Sequence, residues 1–207
     1  FPPNVGGYHL YYQIVARNWS ITNTNATNNA LGESFYAYIP GSEIVPTHPN
    51  NSNPEFDQFP PLFLCAGEPF TIDHAATDID GDSLVYQFYT PYDGDTGDGP
   101  KDPTFPNNVA TFQPIVFYPG YSVTNPLGGT PLNISTTGEL TGTAGAVGQY
   151  VVGIKVLEYR NGIFLSETLR DFQFNVVDCP VQLALTVNPG EPNICFTETF
   201  TTLTAFV

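Results

Sequence analysis

The sequence predicts an all-β protein built from tandem β-sandwich modules, and three observations carry that expectation. Polar and apolar residues alternate with period two along several short runs, the pattern of half-buried strands. Gly and Pro, 19 and 20 of the 207 residues, punctuate those runs with turns. No stretch repeats its apolar residues at the 3.6 spacing of an amphipathic helix.

The elements follow in order. Tyr8, Leu10, Tyr12 and Ile14 alternate with His9, Tyr11, Gln13 and Val15, which reads as a long strand with aromatics on one face. Ser34 to Ile39 forms a second strand, ended by Pro40-Gly41, and the Asn- and Thr-rich Asn18 to Asn29 between them is a loop. Pro46 to Pro61 carries five prolines and no periodicity, the composition of a linker. Leu84, Tyr86 and Phe88 alternate with Val85, Gln87 and Tyr89. Tyr150 to Tyr159 and Phe164 to Val177 alternate likewise. Between the last two, Arg160-Asn161-Gly162-Ile163 predicts a tight type I′ hairpin, because Asn-Gly adopts positive φ readily. Asp93 to Phe105 is a Gly-, Asp- and Pro-rich loop, and Thr136 to Thr143 sets turn residues around a short strand. Val181, Leu183, Leu185 and Val187 begin a further strand, and Cys195 to Val207 another. The expected organisation is the end of one sandwich module over 1–48, a linker over 49–61, a whole module over 62–179, and the opening strands of a third over 180–207.

Charge narrows the partners. Twenty acids against five bases give a net charge of −15, which repels nucleic acid and anionic membranes and favours cations. No apolar run approaches the length of a membrane-spanning helix, so membrane insertion is not expected. With no Met, few Lys or Arg, and polarity supplied mostly by Asn, Thr, Ser and Gln, the chain reads as a secreted or cell-surface segment excerpted from a longer one.

Cys65, Cys179 and Cys195 lack the spacing of a zinc site. A Cys65–Cys179 disulfide would clasp the first and last strands of the 62–179 module, contributing about 4–5 kcal/mol by loop closure. Cys195 would then pair beyond this chain or in another copy; the alternative is three reduced thiols.

The densest chemistry is Ala76-Thr-Asp-Ile-Asp-Gly-Asp-Ser-Leu-Val-Tyr86, where Asp78, Asp80 and Asp82 stand two apart in a turn before a strand. Carboxylates this close repel unless a hard cation gathers their oxygens, and calcium accepts six to eight such ligands with loose geometry. The spacing is not that of an EF-hand, so further ligands must come from elsewhere in the fold: Glu68, Asp73, Glu158 and Asp171 are the candidates. The plainer alternative is that the acids cap a surface turn and bind nothing.

That turn resembles the first calcium-binding turn of cadherin-like domains, and Asn50-Asn-Ser-Asn-Pro-Glu-Phe56 ahead of it is similar to their interdomain linker. Phe59-Pro-Pro-Leu-Phe-Leu-Cys65, Tyr121-Ser-Val-Thr-Asn-Pro126, Gly138-Glu-Leu-Thr-Gly-Thr143, Val147-Gly-Gln-Tyr-Val-Val-Gly153, Glu158-Tyr-Arg-Asn-Gly162 and Arg170 to Cys179 together resemble a module of gliding-motility-associated adhesins of Bacteroidota. Those are very long cell-surface proteins exported by type IX secretion. Asn193-Ile-Cys-Phe-Thr-Glu-Thr199 is similar to the opening strand of the Ig-like repeats that follow in such proteins. The resemblance implies tandem Ig-like or cadherin-like sandwiches in an extracellular filament or adhesin, with calcium at Asp78, Asp80 and Asp82. It also implies contacts with neighbouring modules or other copies. Where members of the group carry a cysteine pair, this chain has Val15-Ala16. Asp82-Ser83-Leu84 resembles an O-glycosylation acceptor of that phylum, which would modify Ser83.

Catalysis is not expected. His9, His48 and His74 are scattered, and His74 beside Asp73 reads as a hydrogen-bonded strand residue. Two other readings remain. Trp19, among the tyrosines of the first module, makes the chain a candidate carbohydrate-binding module for surface glycans. Its unfinished terminal strands would alternatively suit a subunit that self-assembles by strand complementation.

Overall fold

A computed structural model describes residues 2, 4–25, 31–44, 51–94 and 112–179, and every regular element among them is a strand. The 180–207 segment with Cys195, residues 45–50 of the proline-rich stretch, and most of the Asp93–Phe105 loop lie outside the described residues.

Among the described residues, eleven strands are arranged in three sheets: β1 (Tyr8–Ile14), β2 (Glu33–Ile39), β3 (Glu55–Phe56), β4 (Phe63–Cys65), β5 (Pro69–Asp73), β6 (Ala76–Thr77), β7 (Ser83–Phe88), β8 (Thr130–Ile134), β9 (Glu139–Thr143), β10 (Gly148–Arg160) and β11 (Ile163–Val177). The largest sheet runs β1-β2-β11-β10-β7, with β4 added parallel to the end of β11. A second sheet, β5-β9-β8, covers part of it, and β3 and β6 form a small ladder of their own.

The long hairpin of β10 and β11 is the spine. Its turn is the expected one: Arg160 pairs with Ile163, and Asn161 and Gly162 hold φ of 54° and 79°. Along β10, Tyr150, Val152, Ile154 and Val156 face inward and are at most 1% exposed. Tyr150, Val152 and Ile154 share a core with Phe174 and Val176 of β11, Leu64 of β4, and Ile72, Leu132 and Leu140 of the second sheet, so both sheets fill one core in the manner of a sandwich.

Strand pairing runs across the boundary expected between 1–48 and 62–179. β11 is longer than the element beside it needs, and β2 takes its second edge, Ala37 pairing with Thr168. Three further ties cross the expected boundary. Arg17 reaches Asp171, the Asn23 amide donates to Pro126 and Val151 carbonyls, and the Asn23 carbonyl accepts from the Val151 N–H. The expected linker over 49–61 contains β3, whose Glu55 and Phe56 pair with Thr77 and Ala76. Proline content marked an irregular path, and side-chain anchoring then fixed that path on the module.

Candidate metal centre

The acidic turn joins β6 to β7. Asp78 builds it: its Oδ1 accepts the N–H groups of Asp80 at 3.0 Å and Asp82 at 2.9 Å, while Gly81, at φ 81°, makes the reversal. The entry is fixed by the Ala76 N–H donating to the Tyr86 hydroxyl at 2.8 Å. One carboxylate oxygen from each of Asp78, Asp80 and Asp82 lies within 4.8 Å of the others. Those three side chains come together as the sequence predicts.

Two residues from the tip of the long hairpin join them. Glu158 continues the inward row of β10, so strand alternation places a carboxyl where four apolar side chains precede it, and it is fully buried. A bulge follows it, the register shifting between Glu158 and Tyr159. Its Oε2 accepts from the Ser166 hydroxyl and from Asn51 Nδ2 at 3.1 Å. Burial pushes its pKa up to about 7; Ser166 and Asn51 hold it down, and the Asp82 carboxyl and the Asp78 charge raise it further. Arg160 supplies the opposite charge, its Nε and Nη2 donating to Asp82 at 2.7 and 2.5 Å, with Asp80 at 3.9 Å. Its Nη2 also donates to Asn51 Oδ1 at 3.0 Å. The Ser52 N–H donates to Asp80 Oδ2 at 2.6 Å, so the segment ahead of β3 is tied to this cluster by backbone and side chain.

The other expected ligands lie elsewhere. Glu68 is exposed beside Cys65, which pairs with Val177; eleven residues of β11 separate that level from Ser166, a distance of about 35 Å. Asp171 pairs across from Gly153 and is enclosed with Arg17, its side chain 3% exposed. Asp73 caps the end of β5, accepting from the Ala75 N–H and Gln58. Sequence distance gave no way to rank these acids. Asn51 carried no signal of its own. The inward row of β10 is the pattern that singles out Glu158.

The remaining residues fall as follows. Cys65 and Cys179 are joined in a disulfide across a sequence separation of 114, beside the parallel pairing of β4 with β11. Ser83 opens β7 and is exposed. Trp19 is 61% exposed beside Asn18, whose amide donates to Gln149 and Gln173. His74 departs from expectation: it is fully buried and neither ring nitrogen finds a hydrogen bond among the described residues. Instead the ring packs between Phe172 and Phe56, and burial, with Arg170 nearby, lowers its pKa to about 4. Of the tyrosines near Trp19, Tyr11 and Tyr36 meet Phe112 edge-on, while Tyr12 stacks on Phe35 in the open.

Fold and site together define an all-β protein with two sheets sharing a core, a disulfide, and a carboxylate cluster able to hold a cation. Comparison with known families, curated proteins and solved structures finds no match for the chain.

Proposed function

We propose that this chain is a structural, adhesive segment of a secreted surface filament, non-enzymatic, with cadherin-like or Ig-like sandwich character, stiffened by calcium at the acidic turn and by its disulfide. The observation that carries the reading is the covalent clasp. Cys65 and Cys179 join the start of the 62–179 region to the last residues of β11 across a separation of 114. Such a bridge persists in oxidising, extracellular surroundings, and it removes most of the module from the length a pulled chain can release. The carboxylate cluster adds a second fastening. At −15 overall, the protein gains from any cation that Asp78, Asp80 and Asp82 gather, and calcium suits a site rich in protein oxygens. The sequence resemblance to gliding-motility adhesins points the same way.

Force spectroscopy on the chain between handles tests the reading. Reduction is expected to lengthen the unfolded contour by about 40 nm, from 114 residues at roughly 3.5 Å each. Chelation is expected to lower the unfolding force. A force that ignores both treatments would sink the proposal. The second reading, a carbohydrate-binding module, draws on the exposed Trp19 and the open Tyr12–Phe35 stack. It predicts a glycan-array signal lost in Trp19→Ala and indifferent to chelator.

A further inference from the structure

The three turn aspartates alone would be an ordinary acidic surface loop. Two atoms change that. Glu158 Oε1 and Asp78 Oδ2 are both buried, and neither receives a hydrogen bond from any described residue. Each is the second oxygen of a carboxyl whose first is fully employed. Glu158 Oε2 takes Ser166 and Asn51, and Asp78 Oδ1 takes two backbone N–H groups. They belong to different elements, β10 and the turn, and two side chains join those elements: Asn51 donates to Glu158, and Arg160 donates to both Asn51 and Asp82. Among the described residues, Asp80, Asp82 and Glu158 act on the Arg160 guanidinium and Asp78 adjoins Asp80 and Asp82, so acids outnumber bases at this point. When its carboxyl is ionised, each of those two oxygens is an acceptor buried without a donor from any described residue, a costly arrangement that a hard cation satisfies.

We propose that Glu158 is a ligand of the cation held by the turn. One divalent ion of the calcium class is bound by Asp78, Asp80 and Asp82, whose oxygens already lie within 4.8 Å of one another, and Glu158 Oε1 closes on it from the end of β10. Asn51 and Arg160 are positioning residues. Asn51 holds the employed oxygen of Glu158, and Arg160 orients Asp82 while gripping Asn51. The ion therefore fastens three parts of the chain at one point: the turn, the end of β10, and the segment entering β3, which Ser52 already ties to Asp80. This inference rests on the cation reading above and specifies its ligand set.

The test is calcium chloride titration of the full oxidised chain by calorimetry, with terbium luminescence as a second probe and hydrogen exchange over 51–56 as a third. Wild type is expected to bind one ion and to gain protection over 51–56. Asp78→Asn and Glu158→Gln are each expected to weaken binding more than tenfold, and Asn51→Ala about tenfold. Glu68→Gln, far along the fold, is expected to bind like wild type. Calcium-dependent binding that survives Glu158→Gln but not Asp78→Asn overturns the role of Glu158 and leaves the cation reading standing. No ion bound to wild type overturns both. If Glu158→Gln does not fold, the exchange measurement on wild type decides, because binding without protection of 51–56 contradicts the three-way fastening.

Discussion

Two carboxylate clusters in this protein each hold one arginine, and they hold it on different terms. In the first, Arg17 and Asp171 are enclosed, each side chain 3% exposed, with Glu33 close by and the guanidinium also donating to the Tyr92 carbonyl at 2.7 Å. Among the described residues, two acids face one base. In the second, Arg160 reaches Asp82 from the rim while Asp78, Asp80 and Glu158 share the same space. There, acids outnumber bases more heavily among the described residues. The first cluster carries one surplus acid and fastens the β1–β2 hairpin to β11, although Asp171 Oδ1 and Arg17 Nε, like Asp78 Oδ2 and Glu158 Oε1 in the second, find no hydrogen bond among the described residues. What separates the second is the three aspartate oxygens gathered within 4.8 Å of one another at a turn that solution can reach. Excess charge and access, not the orphaned oxygens alone, divide strut from receptor.

The largest expected effect breaks the first cluster. Arg17→Met strands the buried Asp171 charge and is expected to cost about 3–5 kcal/mol in urea denaturation. Adding Asp171→Leu should recover most of that, since an ion pair replaced as a unit leaves no buried charge. A cost within the range of an ordinary surface change would remove the distinction drawn here.

Next comes calcium itself. At one hundred times its dissociation constant it is expected to stabilise wild type by about 2.7 kcal/mol, seen as a rise in thermal midpoint over chelated protein. The Arg17→Met variant should keep that response and Asp78→Asn should lose it, which separates the two clusters in one experiment.

Protonation sharpens the comparison further. Burial and the Asp171 charge raise the Glu33 pKa from 4.5 to about 7, against the pull of Arg17. The fold therefore favours its neutral form: the contribution is complete below pH 4.5 and is lost as pH rises through 7. Glu33→Gln should flatten that loss and gain about 1–2 kcal/mol at pH 8, a figure discounted for partial exposure. His74 runs the other way. Its pKa falls from 6.5 to about 4, so its contribution is present above pH 6.5 and is lost as pH falls through 4. His74→Phe, in a slot already walled by Phe56 and Phe172, should remove about 2 kcal/mol of that acid sensitivity at pH 5. Denaturation curves over pH 4 to 9 for the two variants measure both slopes.

The smallest effect is at Arg160. Arg160→Gln frees Asp82 and Asn51 while removing a positive charge beside the ion; the two effects oppose, so calcium affinity is expected to change by less than about threefold in calorimetry while chelated protein becomes slightly less stable. A fall of about tenfold or more would mean that orienting Asp82 outweighs repulsion of the ion.

Much of this could be read before the fold was seen, and the reasons are specific. Period-two alternation located β1, β7, β10 and β11; β7 shows the half-buried pattern behind that signal, whereas β10 is buried on both faces, Val151 and Leu157 as well as Tyr150 and Ile154. Asn161-Gly162 announced its hairpin through backbone chemistry that few other pairs allow. The aspartates of the turn were legible because they are neighbours in sequence and remain neighbours in space. Glu158, eighty residues away by sequence from Asp78, became part of the cluster only through the pairing of β10 with β7. Asn51 joined through one side chain in a stretch whose prolines suggested a linker. His74 was misjudged as hydrogen-bonded because no local pattern distinguishes a polar slot from an aromatic one.

The sequence alone determined an all-β chain, its principal turns and the acid-rich loop, since each depends on residues close together along the backbone. Which half of the chain belongs to which sheet was decided by the tertiary structure, as was the choice of Glu158 over Glu68 and Asp171 beside the turn. Strand pairing brings distant residues within a hydrogen bond of one another, and nothing in local periodicity encodes which distant edge a strand will take.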